Sequence, residues 1–464
     1  MDIPVFHLDF LNNRLLIAIV AILHVVINHS MAVGGIPLVA LLERRALQRG
    51  DLAADRLARR VLAVFFVVTT TLGAMSGVGI WFSTALVNPY AIGSLLRVFF
   101  WTWCVEWLVF VTEIALILTY YLTWKRWVRE RKPAHVRLGV GLSLASWVTM
   151  ALIVSILGFM MDPGAWRSDR TLFSGMLNPC YLPQLAFRTP LAMVMAGAAA
   201  LFILPWVAKG EAELRTDATR TISRWMLAWV GPCVAGGIWY ARAVPEAMRG
   251  VIPVALLTQA LAGWSHGAIQ VLALAASVVA LLAAWGAVRP ARMPRWALAL
   301  PFVVSVVLIG TFERVREFIR KPYAIAGYLY SNGIRQEDYP LLQRDGLLAH
   351  ATYTPVREVT KDNAVEAGRE VFRLACTRCH TTDGVNGIRG VLEAMYGDQP
   401  WDPSAISAYV GAMHLARPFM PPFPGNRAER DALGVYLARL QGRRDALEGA
   451  QTAGAVSVAT PKLP

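Results

Sequence analysis

A chain of 464 residues that is 56% hydrophobic and only 16% charged is too apolar for an ordinary soluble protein. Its net charge of +14 lies mostly in loops between apolar blocks, so it reports membrane topology and not a nucleic-acid partner. Three of the five cysteines, Cys104, Cys180 and Cys233, sit in or beside apolar blocks and read as packing residues, not disulfide partners.

A membrane-spanning helix needs about 20 apolar residues. Eight such blocks are predicted in chain order, at 15–42, 61–86, 95–124, 138–161, 186–208, 221–241, 265–288 and 297–319. The first is too long for the apolar core of a signal peptide and lacks a small-residue cleavage site, so it is expected to remain as an anchor. The apolar stretch 250–262 is too short to cross and reads as a surface or re-entrant segment. Four loops are rich in Arg and Lys, among them Arg44, Arg45, Arg56, Lys125, Arg126, Lys132, Lys209 and Arg289. The opposite loops carry far fewer, including Arg97, Arg167, Arg188 and Arg242. The positive-inside rule makes the first set cytoplasmic, and eight spans then put both termini in the periplasm of a bacterial inner membrane. Residues 326–360 read as a polar periplasmic connector, 361–442 as a compact helical domain, and 443–464 as a disordered tail rich in Ala, Gly and Thr.

Within the helical domain, Cys376-Thr377-Arg378-Cys379-His380 has the C-x-x-C-H form. Two thiols at that spacing add to the vinyl groups of a haem, and the adjacent histidine becomes an axial iron ligand. Gly368 and Phe372 precede the motif on a helix. Downstream, Met420 stands in the proline-framed run Pro418-Phe419-Met420-Pro421-Pro422-Phe423, followed by a final helix containing Tyr436. This order resembles class I cytochrome c domains over their whole length. Met420 is the expected sixth ligand. Its rivals, Met413 and His414, lie in a helical stretch without a rigid loop to present them. A His/Met pair leaves no open position on the iron, so this haem c carries electrons and binds no substrate.

Ionisable side chains inside spanning blocks are costly and functional by default. They are His24, Glu106, Glu113, Glu313 and Glu317, with His29 and His266 nearer the periplasmic ends. Around them stand Leu23-His24-Val25, the run Leu41-Leu42-Glu43, Gly73-Ala74-Met75-Ser76-Gly77, Glu113 eleven residues before Trp124, Phe159-Met160-Met161-Asp162-Pro163 and Asn178-Pro179. The sharpest segment is Glu317-Phe318-Ile319-Arg320-Lys321-Pro322-Tyr323-Ala324-Ile325. In these segments the chain resembles subunit I of the cytochrome bd quinol oxidases, over roughly residues 10–330. The resemblance implies that His24 is the axial ligand of one haem in a periplasmic-side pair. It implies that Glu317 ligates or neighbours the other iron and that Arg320 neutralises haem propionates. Glu113, with Glu106 as companion, then acts near the haems or on a proton path. One or more non-covalent haems of b or d type are therefore expected in the membrane domain. Without the resemblance, His24 is a packed or interfacial histidine and Glu317 a helix-end glutamate paired to Arg320 or Arg316.

The departures from that family are as specific. The stretch that holds a helix-five histidine in the family reads Leu185-Ala186-Phe187-Arg188-Thr189 here. The helix-seven methionine is missing from Gly263-Trp264-Ser265-His266-Gly267, the quinol loop has shrunk to about 242–264, and the haem c domain replaces a ninth helix. His24 and His29 point about 140° apart on one helix, so they cannot share an iron. His29 and His266 read as interfacial polar residues, with ligation of a rearranged haem as the alternative.

The fold class is thus all-α: a polytopic membrane helix bundle over 1–325 joined to a small cytochrome c domain. Two functions fit. One is a bd-like oxidoreductase in which haem c replaces quinol as the electron port, with dioxygen as the candidate acceptor. The other is a membrane anchor and electron-transfer cytochrome, without oxygen chemistry, linking a periplasmic dehydrogenase to quinone or a soluble cytochrome c. A transporter or sensor leaves the haem c motif unexplained. Membrane lipid and a second membrane subunit or periplasmic redox partner are the expected partners.

Overall fold

The computed structural model of the chain describes residues 5–127, 131–257 and 259–441; the expected disordered tail, 443–464, lies outside them. Two compact units are present. One consists of Ala18–Phe82 and Ile92–Arg320, the other of the N-terminal segment up to Ile17, Ser83–Ala91 and the chain from Lys321 onward.

The first unit is the helix bundle. Its long helices are α1 (Asn13–Arg49), α2 (Leu52–Val87), α3 (Pro89–Thr123), α4 (Lys132–Met161), α5 (Tyr181–Val207), α6 (Ala212–Ala243), α7 (Ser265–Val288) and α8 (Arg295–Ile319). Among the described residues, seven are long and apolar enough to cross a membrane. The exception is α6. It contains the predicted span 221–241, but its first turns carry Glu213, Arg215, Asp217, Arg220 and Arg224, which lower its hydropathy. The expected surface segment 250–262 is broken into Ile252–Leu256 and a 3-10 turn, Gln259–Trp264, too short to cross. Cys104, Cys180 and Cys233 are free; Cys180 is buried as a packing residue would be, Cys233 is half-buried and Cys104 is exposed.

Helix α5 is the centre of the bundle. Its Ala-rich run from Ala192 to Ala200 is almost wholly buried, against residues of α1, α2 and α6. Small side chains let neighbouring backbones come close, which is how helices pack where lipid supplies no hydrophobic drive. Between α1 and α2 the chain turns tightly. Gly50 takes a left-handed φ of 65°, and Asp51 caps α2 by accepting from the amides of Ala53 and Ala54 at 2.9 and 3.0 Å. Each of these two helices is interrupted by a π turn, Asn28–Val33 in α1 and Thr69–Gly73 in α2. Such single-turn widenings free backbone carbonyls for other bonds.

At the far ends of α1, α2, α3 and α4 lies a buried ionic cluster. Glu43, fully buried, accepts from Tyr120 Oη, His135 Nδ1 and Lys132 Nζ, each at 2.6 Å. Lys132 also meets Asp55 at 2.7 Å, and Asp55 accepts from Trp124 Nε1 at 3.0 Å. Lys132, read from the sequence as a loop charge, is therefore an interior ion-pair partner. Removing one member of such a set strands the rest. Glu43→Ala is expected to destabilise the bundle by about 3–5 kcal/mol, read as a loss of denaturation midpoint in detergent. A change below about 1 kcal/mol would show that the cluster contributes little net stability.

The second unit carries the C-x-x-C-H motif. Its elements are a hairpin of Tyr323–Ile325 with Leu329–Tyr330, then α9 (Tyr339–Asp345), α10 (Ala364–Ala375), α11 (Ile388–Tyr396), α12 (Pro403–Ala416) and α13 (Arg427–Ala438). The hairpin is the one departure from all-α architecture among the described residues. Helices α10 and α13 cross where Gly368 lies against the backbone of Ala432; a Cβ there would collide with the Ala432 carbonyl. Phe372 and Tyr436 then meet with ring centroids 5.8 Å apart. The segment 326–360 departs from its expected role as a polar connector. Tyr330, Ile334, Tyr339, Leu342, Leu347, Leu348 and Val356 are buried in the same core as Phe372 and Leu433. The carboxylate of buried Glu429 ties that segment down, accepting from the amides of Leu347 and Leu348 at 2.8 and 2.7 Å. This is the reason 326–360 is an integral part of the unit: its apolar residues bury and its backbone amides are satisfied by α13.

Candidate functional site

The C-x-x-C-H loop begins where α10 ends. Cys376 caps that helix, and the amides of Cys379 and His380 both donate to the Cys376 carbonyl, at 3.0 and 2.9 Å. The two thiols are thereby held on one turn. Burial pushes the Cys376 thiol up to about 12, so before haem attachment it is a thiol and not a thiolate. The His380 ring donates from Nδ1 to the Asn386 carbonyl at 3.3 Å, which leaves Nε2 as the lone-pair nitrogen an iron requires. Burial also holds the His380 pKa below its ordinary value, favouring the neutral ring that ligates metal. The donor set therefore fits a covalently attached haem.

Three segments grip this loop. Asn12 Nδ2 donates to the Cys379 carbonyl at 2.7 Å. Arg378, between the two cysteines, is buried and donates to the carbonyls of Asn332 and Val87. Its burial lowers the guanidinium to about 10, still cationic at neutral pH. The grip by Asn12 and the 83–91 turn was not legible in the sequence, because neither segment is near the motif in the chain.

The Met420 loop is held through its backbone. The Met420 amide donates to the Arg417 carbonyl at 2.8 Å, and His414 Nδ1 donates to the Met420 carbonyl at 2.5 Å. Tyr339 Oη and Gln343 Nε2, both on α9, donate to the carbonyls of Pro422 and Phe423 at 3.2 and 3.1 Å. The methionine loop is thus pinned from α12 and from the segment first read as a connector. His414, a rival ligand by sequence, is engaged in holding the Met420 backbone, and Met413 packs on the core.

In the membrane unit His24 lies in a notch made by the small-residue run after the π turn of α2. Its Nδ1 is 3.2 Å from the Gly73 carbonyl and 3.2 Å from Ser76 Oγ, and a Cβ on Gly77 would sit 3.1 Å from the ring. With Nδ1–H on the carbonyl, Nε2 is the ring's lone-pair nitrogen, and the Asn28 amide donates to it at 3.1 Å. Glu317 is paired with Arg320, three residues on along α8. Glu113 on α3 accepts from Ser146 at 2.5 Å and from Thr149 at 3.2 Å, both on α4. Glu106 lies two turns earlier on the same face of α3.

His29 is buried and faces Arg188, with Nε2 3.3 Å from Nη1. Arg188 in turn donates to Glu313 at 2.5 Å, and Arg316 Nε donates to the other Glu313 oxygen at 2.8 Å. The sequence reading put Arg188 in a loop and His29 at the interface; the structure puts both in the interior. Helix α5 begins at Tyr181, five residues before the predicted start at 186, so Arg188 lies about two turns inside it. His266, at the start of α7, is exposed, as expected of an interfacial residue.

Residues 363–437 match the family of cytochrome c oxidase, cbb3-type, subunit III. No curated protein matches the chain. The chain therefore carries a cbb3-type cytochrome c domain, with its covalent haem c motif, alongside a multi-pass helix bundle.

Proposed function

We propose that the protein is a membrane-bound multihaem electron-transfer oxidoreductase resembling bd oxidase subunit I. Electrons pass between the haem c held by Cys376, Cys379, His380 and Met420 and non-covalent b- or d-type haems held in the bundle by His24. Glu317 and Arg320 stand near the second iron and the propionates, Glu113 and Glu106 hold protons, and dioxygen is the acceptor. The observation that carries this reading is the haem c motif in a single chain with a bundle whose His24 ring is anchored through Nδ1 to Gly73. When bound, the membrane haems supply the redox chemistry. The chain's own residues ligate, neutralise and deliver protons. The partners are membrane lipid, a second membrane subunit and a periplasmic redox protein that meets haem c.

The test is a reduced-minus-oxidised spectrum of the purified protein with a pyridine haemochrome count. Haem b or d in addition to haem c supports the reading, and haem c alone sinks it. A carbon-monoxide-reactive chlorin band supports dioxygen as acceptor. Low-spin b and c bands alone favour the carrier that links a dehydrogenase to quinone or a soluble cytochrome.

The haem c domain is assigned to the periplasm. Arg378 joins the carbonyls of Val87 and Asn332, so the 83–91 turn and the chain after α8 share one side of the membrane. Among the described residues between Ala91 and Lys321, five helices are apolar enough to cross, an odd number. An even number is required, and α6 supplies the sixth crossing. The charge bias of the loops then makes the shared side periplasmic. A cytoplasm-only reporter fused after Pro464 is expected to be silent; a fully active fusion would overturn both the parity and the orientation.

A further inference from the structure

The His29–Arg188–Glu313–Arg316 set differs from the Glu43 cluster in its charge balance. Around Glu43, two carboxylates meet Lys132 and His135, whose two ring nitrogens both face oxygen acceptors. In the Arg188 set, two guanidiniums share the single carboxylate of Glu313. His29 contributes no negative charge, since its Nε2 takes the guanidinium hydrogen as a neutral acceptor. Glu317, which also acts on Arg316, is itself paired with Arg320, so one positive charge is left over.

The spare charge comes with spare donors. Arg188 Nε and Arg316 Nη1 are buried and make no hydrogen bond among the described residues. Gln184 lies one turn before Arg188 on the same face of α5, is fully buried, and has neither its amide nitrogen nor its oxygen bonded. A buried unpaired charge and unmet buried donors are each costly, and one anionic ligand can relieve both. The matching chemistry is planar, singly negative and a multiple acceptor, which describes a carboxylate.

We propose that Arg188, Arg316 and Gln184 form a receptor for a carboxylate brought into the bundle by a non-protein ligand. Arg188 Nε and Arg316 Nη1 donate to its oxygens, Gln184 Nε2 adds a neutral donor, and the added charge balances the set. Glu313 holds both guanidiniums in place. The carboxylate has two sources, the propionate of a non-covalent haem or a free small dicarboxylate. The first rests on the function proposed above.

The experiment uses the full-length protein in detergent with two variants, Gln184→Met and Arg188→Gln. Non-covalent haem is counted against covalent haem c, and succinate binding is measured by calorimetry. With propionate as the source, both variants weaken retention of the non-covalent haem at least about tenfold, seen on dilution or dialysis, and succinate does not bind. With a free carboxylate as the source, haem content is unchanged, wild-type protein binds succinate, and both variants weaken that binding, Arg188→Gln more than Gln184→Met. Wild-type haem retention in both variants, with no succinate binding, overturns the proposal. Gln184→Met keeps the test decisive should Arg188→Gln fail to fold. It leaves the ion pairs intact, and if Gln184 is merely an unsatisfied amide the variant will raise the melting temperature and leave every ligand signal unmoved. A wild-type protein that holds no non-covalent haem defeats the function proposed above, and the receptor then stands or falls on succinate alone.

Discussion

Met420→Ala is expected to lower the midpoint potential of haem c by on the order of 100 mV or more and to open the iron to carbon monoxide. The thioether is a weak donor that favours the reduced iron, and its loss leaves water or nothing in the sixth position. The loop should survive the change. Its backbone is held by His414 at the Met420 carbonyl and by Tyr339 and Gln343 at Pro422 and Phe423, none of which involves the sulfur. A redox titration with a carbon monoxide difference spectrum reads both effects. If the potential stays at its wild-type value and the iron stays closed, another side chain is the ligand.

His24→Ala is expected to remove a b- or d-type haem signal while leaving the covalent haem c intact. The imidazole is oriented by the Gly73 carbonyl and Ser76, and no neighbouring residue of that notch replaces a strong nitrogen ligand. Asn28 stands beside the ring, but its amide is a poor ligand for iron. Haem c should be untouched, because its thioether bonds and His380 belong to the other unit. Glu317→Ala should perturb the same non-covalent haem less, since Glu317 also serves as the partner of Arg320. The ratio of non-covalent to covalent haem measures both. An unchanged spectrum in His24→Ala would move the search for a ligand to His29 and His266. Of these, His29 is already committed to Arg188.

The glutamates of the spanning helices differ in their surroundings. Glu113 accepts from two neutral hydroxyls of α4. Glu313 is clamped by two guanidiniums, which suits it to fixing charge in place. Two glutamates of spanning helices that look alike in the sequence therefore meet different partners.

The sequence by itself determined everything that rests on local pattern. Long apolar blocks announce spanning helices, because a bilayer demands about 20 apolar residues in a row. The spacing of Cys376, Cys379 and His380 announces haem c, because the attachment chemistry is written in five consecutive residues. Gly368, Phe372, Met420 and Tyr436 were ordered around it by the resemblance to class I cytochrome c domains. Only the tertiary structure decided what each buried charge meets. Arg188 and Glu313 are 125 positions apart, and Glu43 and His135 are 92 apart, so no window along the chain relates them. The segment 326–360 was read as a connector because it is polar with mixed charge; it is folded because its apolar residues meet α10 and α13 in space. The grip of Asn12 and the Val87 carbonyl on the haem c loop is likewise invisible until the chain has folded, since hydrogen bonds to backbone oxygens leave no mark on residue type.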